Sequence, residues 1–94
     1  MNKDEKNHLS TVAAIGCIVC KNAGYDGTPA EIHHIRDGVG ISQRASNYDV
    51  IPLCHYHHRT GGYGNAIHAG RRKFESLYGT ERELLDQVKG LINE

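Results

Sequence analysis

The sequence predicts a small α+β fold, with two short strands, one helix before them and further helices after them. Three observations predict it. The first is size: 94 residues, 38% of them hydrophobic, with one Phe and no Trp, suit a single domain (1–94) with a thin core that gains from a stabilising metal. The second is a pair of matched half-sites, Cys17-x2-Cys20 and Cys54-x2-His57. The third is a change of period along the chain, from a helical stripe to short extended runs and back again. There is no internal repeat or low-complexity stretch, so the elements belong to one continuous unit.

Leu9, Val12, Ala13 and Ile15 form a short helical stripe, with Gly16 as a left-handed C-terminal cap behind it, and Met1 to Ser10 is polar and charged overall. Cys17 to Cys20 is a knuckle, and Lys21 to Thr28, with Gly24 and Gly27, is a turn. Ala30 to Ile35 is short enough for a strand. Successive side chains alternate in a strand, so His33 and His34 face the same way only if the chain bends there. Arg36 to Asn47 lacks an apolar period and reads as an extended loop. Asp49 to Leu53 is a second strand, which Pro52 confines to an edge or brings to an end. Cys54 to Arg59 starts a short helix that the run Thr60-Gly61-Gly62-Tyr63-Gly64 breaks. A helix from about Ala69 to Tyr78 presents Phe74, Leu77 and Tyr78 on one face. The last helix opens with the capping box Thr80-x-x-Glu83 and carries the stripe Leu84, Leu85, Val88, Leu91 and Ile92.

Cys17, Cys20, Cys54 and His57 make a complete tetrahedral donor set for a structural zinc ion. Each two-residue spacer aims two donors at one ion, and the odd cysteine count leaves no thiol over. His55 and His58 are alternative fourth ligands, but neither keeps the spacer. A thiolate site suits a reducing compartment. With no apolar run near the ~18 residues of a membrane span, and no signal-peptide pattern, the expectation is a cytoplasmic protein without a membrane partner.

Net charge is zero, but its distribution is uneven. Residues 36–73 hold Arg36, Arg44, Arg59, Arg71, Arg72 and Lys73 against only Asp37 and Asp49. Arginine pairs well with phosphate, so Arg36, Arg59, Arg71 and Arg72 are candidate DNA contacts. The same segment holds histidines beyond those one zinc site can use, which points to a second ion in an open, reactive site. His8 and His55 are expected to be solvated.

Ile32-His33-His34-Ile35, then Asn47, Ile51-Pro52-Leu53-Cys54 and His57-His58, resemble the HNH nucleases, whose ββα-metal (His-Me) finger often carries a zinc knuckle pair around it. With Ile67-His68-Ala69-Gly70, Phe74-Glu75 and Tyr78-Gly79 the resemblance spans nearly the whole chain and is to the phage Ref-type, RecA-dependent nucleases. The resemblance implies a metal-dependent DNA endonuclease acting in phage or prophage recombination. It implies His33 and His58 as ligands of a catalytic divalent ion (Mg2+, Mn2+ or Zn2+), His34 as general base and Asn47 as the residue that orients it. His68 is open between third metal ligand, phosphate contact and plain helix-start residue. Longer relatives have a basic N-terminal arm for DNA, whereas only Met1 to Ser10 is expected to precede the first helix here. The resemblance therefore carries the nuclease centre further than it carries a RecA filament as partner.

The residue types fit that chemistry. Phosphodiester hydrolysis needs a base for water and positive charge where the phosphate gathers negative charge. An imidazole, with a pKa near about 6.5, accepts a proton at neutral pH. Two other functions compete: a non-catalytic zinc module that binds DNA or protein, and a zinc-stabilised structural subunit with its partner surface on the last helix. The zinc module has no use for His33, His34 and His58.

Overall fold

The computed structural model describes residues 1–36, 40 and 45–93. Most of the loop expected over Arg36 to Asn47, with Asp37 and Arg44 of the basic segment, lies outside them. Helix α1 spans Lys3–Ile15, longer than its apolar stripe suggests. Its start is set by a polar device: the Asn2 side chain accepts from the Glu5 backbone N–H while the Glu5 carboxylate accepts from that of Asn2. Residues expected to precede the helix are thus its first turns.

Gly16 ends α1 with φ 82° and ψ 174°, so the chain leaves in an extended direction rather than as a left-handed helical cap. A side chain there would lie 3.1 Å from the Thr28 carbonyl oxygen, which accepts a hydrogen bond from the Cys17 N–H. This close approach folds the turn back onto the first knuckle. The knuckle itself is helical: Cys17 caps α2, Ile18–Asn22, with its sulfur facing the Cys20 N–H.

Strands β1 (Glu31–His34) and β2 (Val50–Leu53) pair antiparallel, with His33 opposite Ile51 and His34 opposite Val50. All four β2 residues are buried because α1, α2 and α4 pack around the strand. Pro52 is accommodated since each strand of a two-stranded sheet is an edge. After Cys54 the chain winds into a wide π-helical turn, Tyr56–Thr60, closed by the Gly61 N–H donating to the Tyr56 carbonyl at 2.8 Å. A 3-10 turn, Ile67–Ala69, leads into α3, Arg71–Tyr78, so the helix expected from Ala69 is split at Gly70. Side-chain room explains the choice of residue, because a Cβ at Gly70 would sit 2.8 Å from the Tyr63 ring.

Helix α4, Glu81–Ile92, begins at the Thr80/Glu83 capping box as predicted. Its Leu84, Leu85 and Val88 join Val12, Ile18, Ile35, Val50, Ile51, Leu53 and Phe74 in the core. Leu91 and Ile92 pack at the margin. Leu77 does not follow Phe74 inward: it is 54% exposed, and Phe74 is the one residue of α3 that is buried. Among the described residues, no helix is long and apolar enough to cross a membrane.

Candidate active site

The four predicted zinc ligands converge. Cys20 Sγ lies 3.9 Å from Cys54 Sγ, and His57 Nδ1 lies 3.7, 3.7 and 3.3 Å from the sulfurs of Cys17, Cys20 and Cys54. With Zn–S near about 2.3 Å and Zn–N near about 2.0 Å, the edges of a regular tetrahedron are roughly 3.8 Å between sulfurs and 3.5 Å from sulfur to nitrogen. The donor set therefore fits one zinc ion and closes around it. Burial pushes the Cys17 thiol up to about 11, so zinc would have to displace a proton that the metal-free site holds firmly. Burial also lowers the His57 imidazole, which keeps it neutral and suited to a metal. His55 stays outside, exposed, with its Nδ1 3.0 Å from the Thr60 hydroxyl.

The surplus histidines form a second cluster. His33, His58 and His68 each offer a nitrogen, and these atoms lie within 4.8 Å of one another, close enough to share an ion. His58 Nε2 and His68 Nε2 approach to 2.9 Å. The His33 ring meets those of His58 and His68 edge-on, with centroids 5.2 and 5.3 Å away. His68, whose role the sequence left open, thus sits among the other two. Its imidazole is lowered first by burial and then by its two imidazole neighbours.

Two glutamates that sequence reasoning did not single out hold this cluster. Glu81 is 1% exposed, and its Oε2 lies 2.7 Å from Nε2 of the buried His33. Burial alone would raise the Glu81 carboxyl; the bond and charge of His33, with the Arg36 N–H and Arg71, outweigh it and hold the group below its usual range. Glu31 accepts from His58 Nδ1 at 2.8 Å and from Arg59 at 2.6 Å. Arg59 and then His58 pull the Glu31 carboxyl down to about 2. Carboxylates behind metal-binding imidazoles fix which ring nitrogen is left for an ion, here Nε2 of His58 and the second nitrogen of His33. Glu31 was legible in principle, since it lies two residues before His33 on the same face of β1. Glu81 was not, since it comes from the first turn of α4, 48 residues away.

His34 faces the other way. The strand register is regular, so no bend brings the two neighbours together. His34 Nε2 instead lies 2.8 Å from Asn47 Oδ1, and Asn47 Nδ2 donates to Glu5 Oε2 at 2.7 Å. The arrangement leaves Nδ1 of His34 as the ring nitrogen able to accept a proton. Among the candidate DNA contacts, Arg36 donates to the Gly40 carbonyl at 3.3 Å and Arg71 pairs with Glu81 at 3.3 Å. Arg59 pairs with Glu31, while Arg72 is exposed on α3. His8 is half-buried rather than solvated, its ring 5.2 Å from that of Tyr48.

A family model described as "recombination enhancement, RecA-dependent nuclease" matches residues 2–93. No curated protein matches the chain.

Proposed function

The chain belongs to the recombination-enhancement, RecA-dependent nuclease family, and on that premise we propose that it is an HNH-type DNA endonuclease acting in phage or prophage recombination. One single domain, residues 1–94, carries the activity. In this reading β1, β2 and the turn from Tyr56 form a ββα-metal finger. The structural zinc on Cys17, Cys20, Cys54 and His57 anchors that turn to the N-terminal knuckle.

The observation that supports it most is the division of labour on β1. His33 belongs to a three-imidazole cluster, and the next residue, His34, is outside that cluster and held by an amide. His34 Nδ1 takes a proton from the attacking water while Asn47 holds the ring. The water oxygen then bonds to phosphorus as the bond to the leaving oxygen breaks. A divalent ion (Mg2+, Mn2+ or Zn2+) on His33, His58 and His68 would supply positive charge to the phosphate and the leaving group. Of the candidate DNA contacts, Arg72 is exposed on α3, whereas Arg36, Arg59 and Arg71 would exchange their contacts with Gly40, Glu31 and Glu81 for the DNA backbone, and a RecA filament is the partner that the family description suggests.

Plasmid nicking tests the proposal. Wild type should cleave when a divalent ion is added, and His34→Ala should lose roughly 100-fold or more of the rate while keeping its metal content. Running the assay with and without RecA filaments on DNA tests the dependence. Full cleavage by His34→Ala would sink the assignment of the base.

A further inference from the structure

We propose that Glu5 is a positioning residue for the nuclease reaction, setting through Asn47 the ring nitrogen that His34 presents to water; this rests on the nuclease reading above. Asn47 by itself is ambiguous. Its amide has one end that accepts and one that donates, and the two ends are nearly the same shape. With Oδ1 toward His34, the ring carries its proton on Nε2 and Nδ1 has a lone pair to receive one. With the amide reversed, Nδ2 would donate to Nε2, the proton would move to Nδ1, and the ring would offer water no acceptor there.

Glu5 removes that ambiguity. An ionised carboxylate only accepts, so the Asn47 end that faces it must be the donor. The observed contact is Asn47 Nδ2 to Glu5 Oε2 at 2.7 Å, and the remaining end, Oδ1, is the one 2.8 Å from His34 Nε2. The carboxylate is secured in turn. Its other oxygen, Oε1, accepts from the Asn2 backbone N–H at 3.1 Å, and the Glu5 N–H donates to Asn2 Oδ1 at 2.8 Å. The bond from Asn47, followed by that from Asn2, holds the Glu5 carboxyl below its usual range and keeps it an acceptor at neutral pH. A capping glutamate in the first turn of α1 therefore has one oxygen for the helix and one for the amide on His34, 42 residues along the chain from Asn47.

The experiment separates the two oxygens of Glu5. Glu5→Ala should lower kcat on the order of tenfold, as for other residues that act through a reacting group, with KM and zinc content unchanged. Asn2→Ala loosens the same cap but leaves the Glu5 carboxylate in place, so it should lower the melting temperature with a smaller loss of kcat than Glu5→Ala; an equal loss would mean that Glu5 acts only through the helix. In an Asn47→Ala background, Glu5→Ala should bring no further loss of kcat, because residues acting in one chain are not additive. Independently of cleavage, the Asn47 side-chain amide protons should exchange slowly in wild type and rapidly in Glu5→Ala by NMR. Asn47 protons that do not respond, or a Glu5→Ala loss that multiplies undiminished with Asn47→Ala, would overturn the proposal. Unchanged cleavage by His34→Ala overturns the assignment of the base instead, and no cleavage by wild type with a divalent ion and RecA filaments overturns the nuclease reading; in either case the amide exchange still decides whether Glu5 orients Asn47.

Discussion

His57 and His58 are consecutive, yet their imidazoles point into different clusters. His57 Nδ1 faces three cysteine sulfurs, and His58 Nε2 faces His68 at 2.9 Å. Both sit in the wide π-helical turn Tyr56–Thr60, which sends neighbouring side chains in different directions. One turn of backbone thereby supplies a donor to each of the two clusters.

Zinc in the cysteine site should be inseparable from folding. Cys54→Ser, or strong chelation, should cost at least about 2 kcal/mol, a fall in Tm of roughly 10 °C for a domain of this size. Thermal melts with and without chelator check this. Binding of zinc to the metal-free protein should also release protons, since burial keeps the Cys17 thiol protonated in its absence. An unchanged melting curve would rule out the structural role.

His58→Ala should separate the two sites. It leaves all four donors of the cysteine site in place, so one tightly held zinc per chain should remain. Cleavage should fall by roughly 100-fold or more with the loss of an open-site ligand. Metal analysis after gel filtration, alongside nicking, reads both. Loss of the tight zinc as well would mean that the two clusters are not independent.

Glu81 should matter to both stability and cleavage. Its carboxylate is 1% exposed and pairs with His33 and Arg71. Glu81→Ala would leave the buried His33 nitrogen without its partner, a loss of about 1–3 kcal/mol. Affinity for the open-site ion should fall roughly 10- to 100-fold. Denaturant unfolding and metal titration would show it, and a fully stable, fully active Glu81→Ala protein would contradict both effects.

The capping box of α4 predicts a pH dependence. Hydrogen bonds from the Thr80 backbone N–H and then its hydroxyl hold the Glu83 carboxyl below its ordinary 4.5. A depressed folded value means stabilisation that is present above pH 4.5 and lost as pH falls through the lower, folded value. Glu83→Gln should therefore be slightly less stable than wild type near pH 7 and converge with it in acid. A gap between the two that widens on acidification would give the wrong sign.

DNA binding should be dominated by backbone charge. If Arg72, exposed on α3, contacts phosphate, Arg72→Ala should weaken binding evenly across sequences and reduce the salt slope by about one. Fluorescence anisotropy at several salt concentrations measures it. An unchanged slope would remove Arg72 from the interface.

Local chemistry made much of this protein readable in one dimension. The Cys-x2-Cys and Cys-x2-His spacers, the Thr80/Glu83 box and the stripe of α4 each encode their geometry within a few residues, and each is found as expected. The α1 capping box is equally local, Asn2 with Glu5, but the apolar stripe that marks the helix begins only at Leu9. What the chain could not state locally was which acid stands behind which imidazole. Glu81 reaches His33 across 48 residues, Glu5 reaches Asn47 across 42, and His68 meets His58 only after the turn at Gly61 and Gly62. Those contacts depend on where α1 and α4 settle around β2, and that is decided by the burial of Val12, Leu84, Leu85 and Val88 against the sheet. Apolar packing has no direction and no sequence spacing of its own. The Cys and His pairs that converge were therefore legible in the sequence, while the carboxylates beside the second cluster and beside the Asn47 amide were decided only by the tertiary fold.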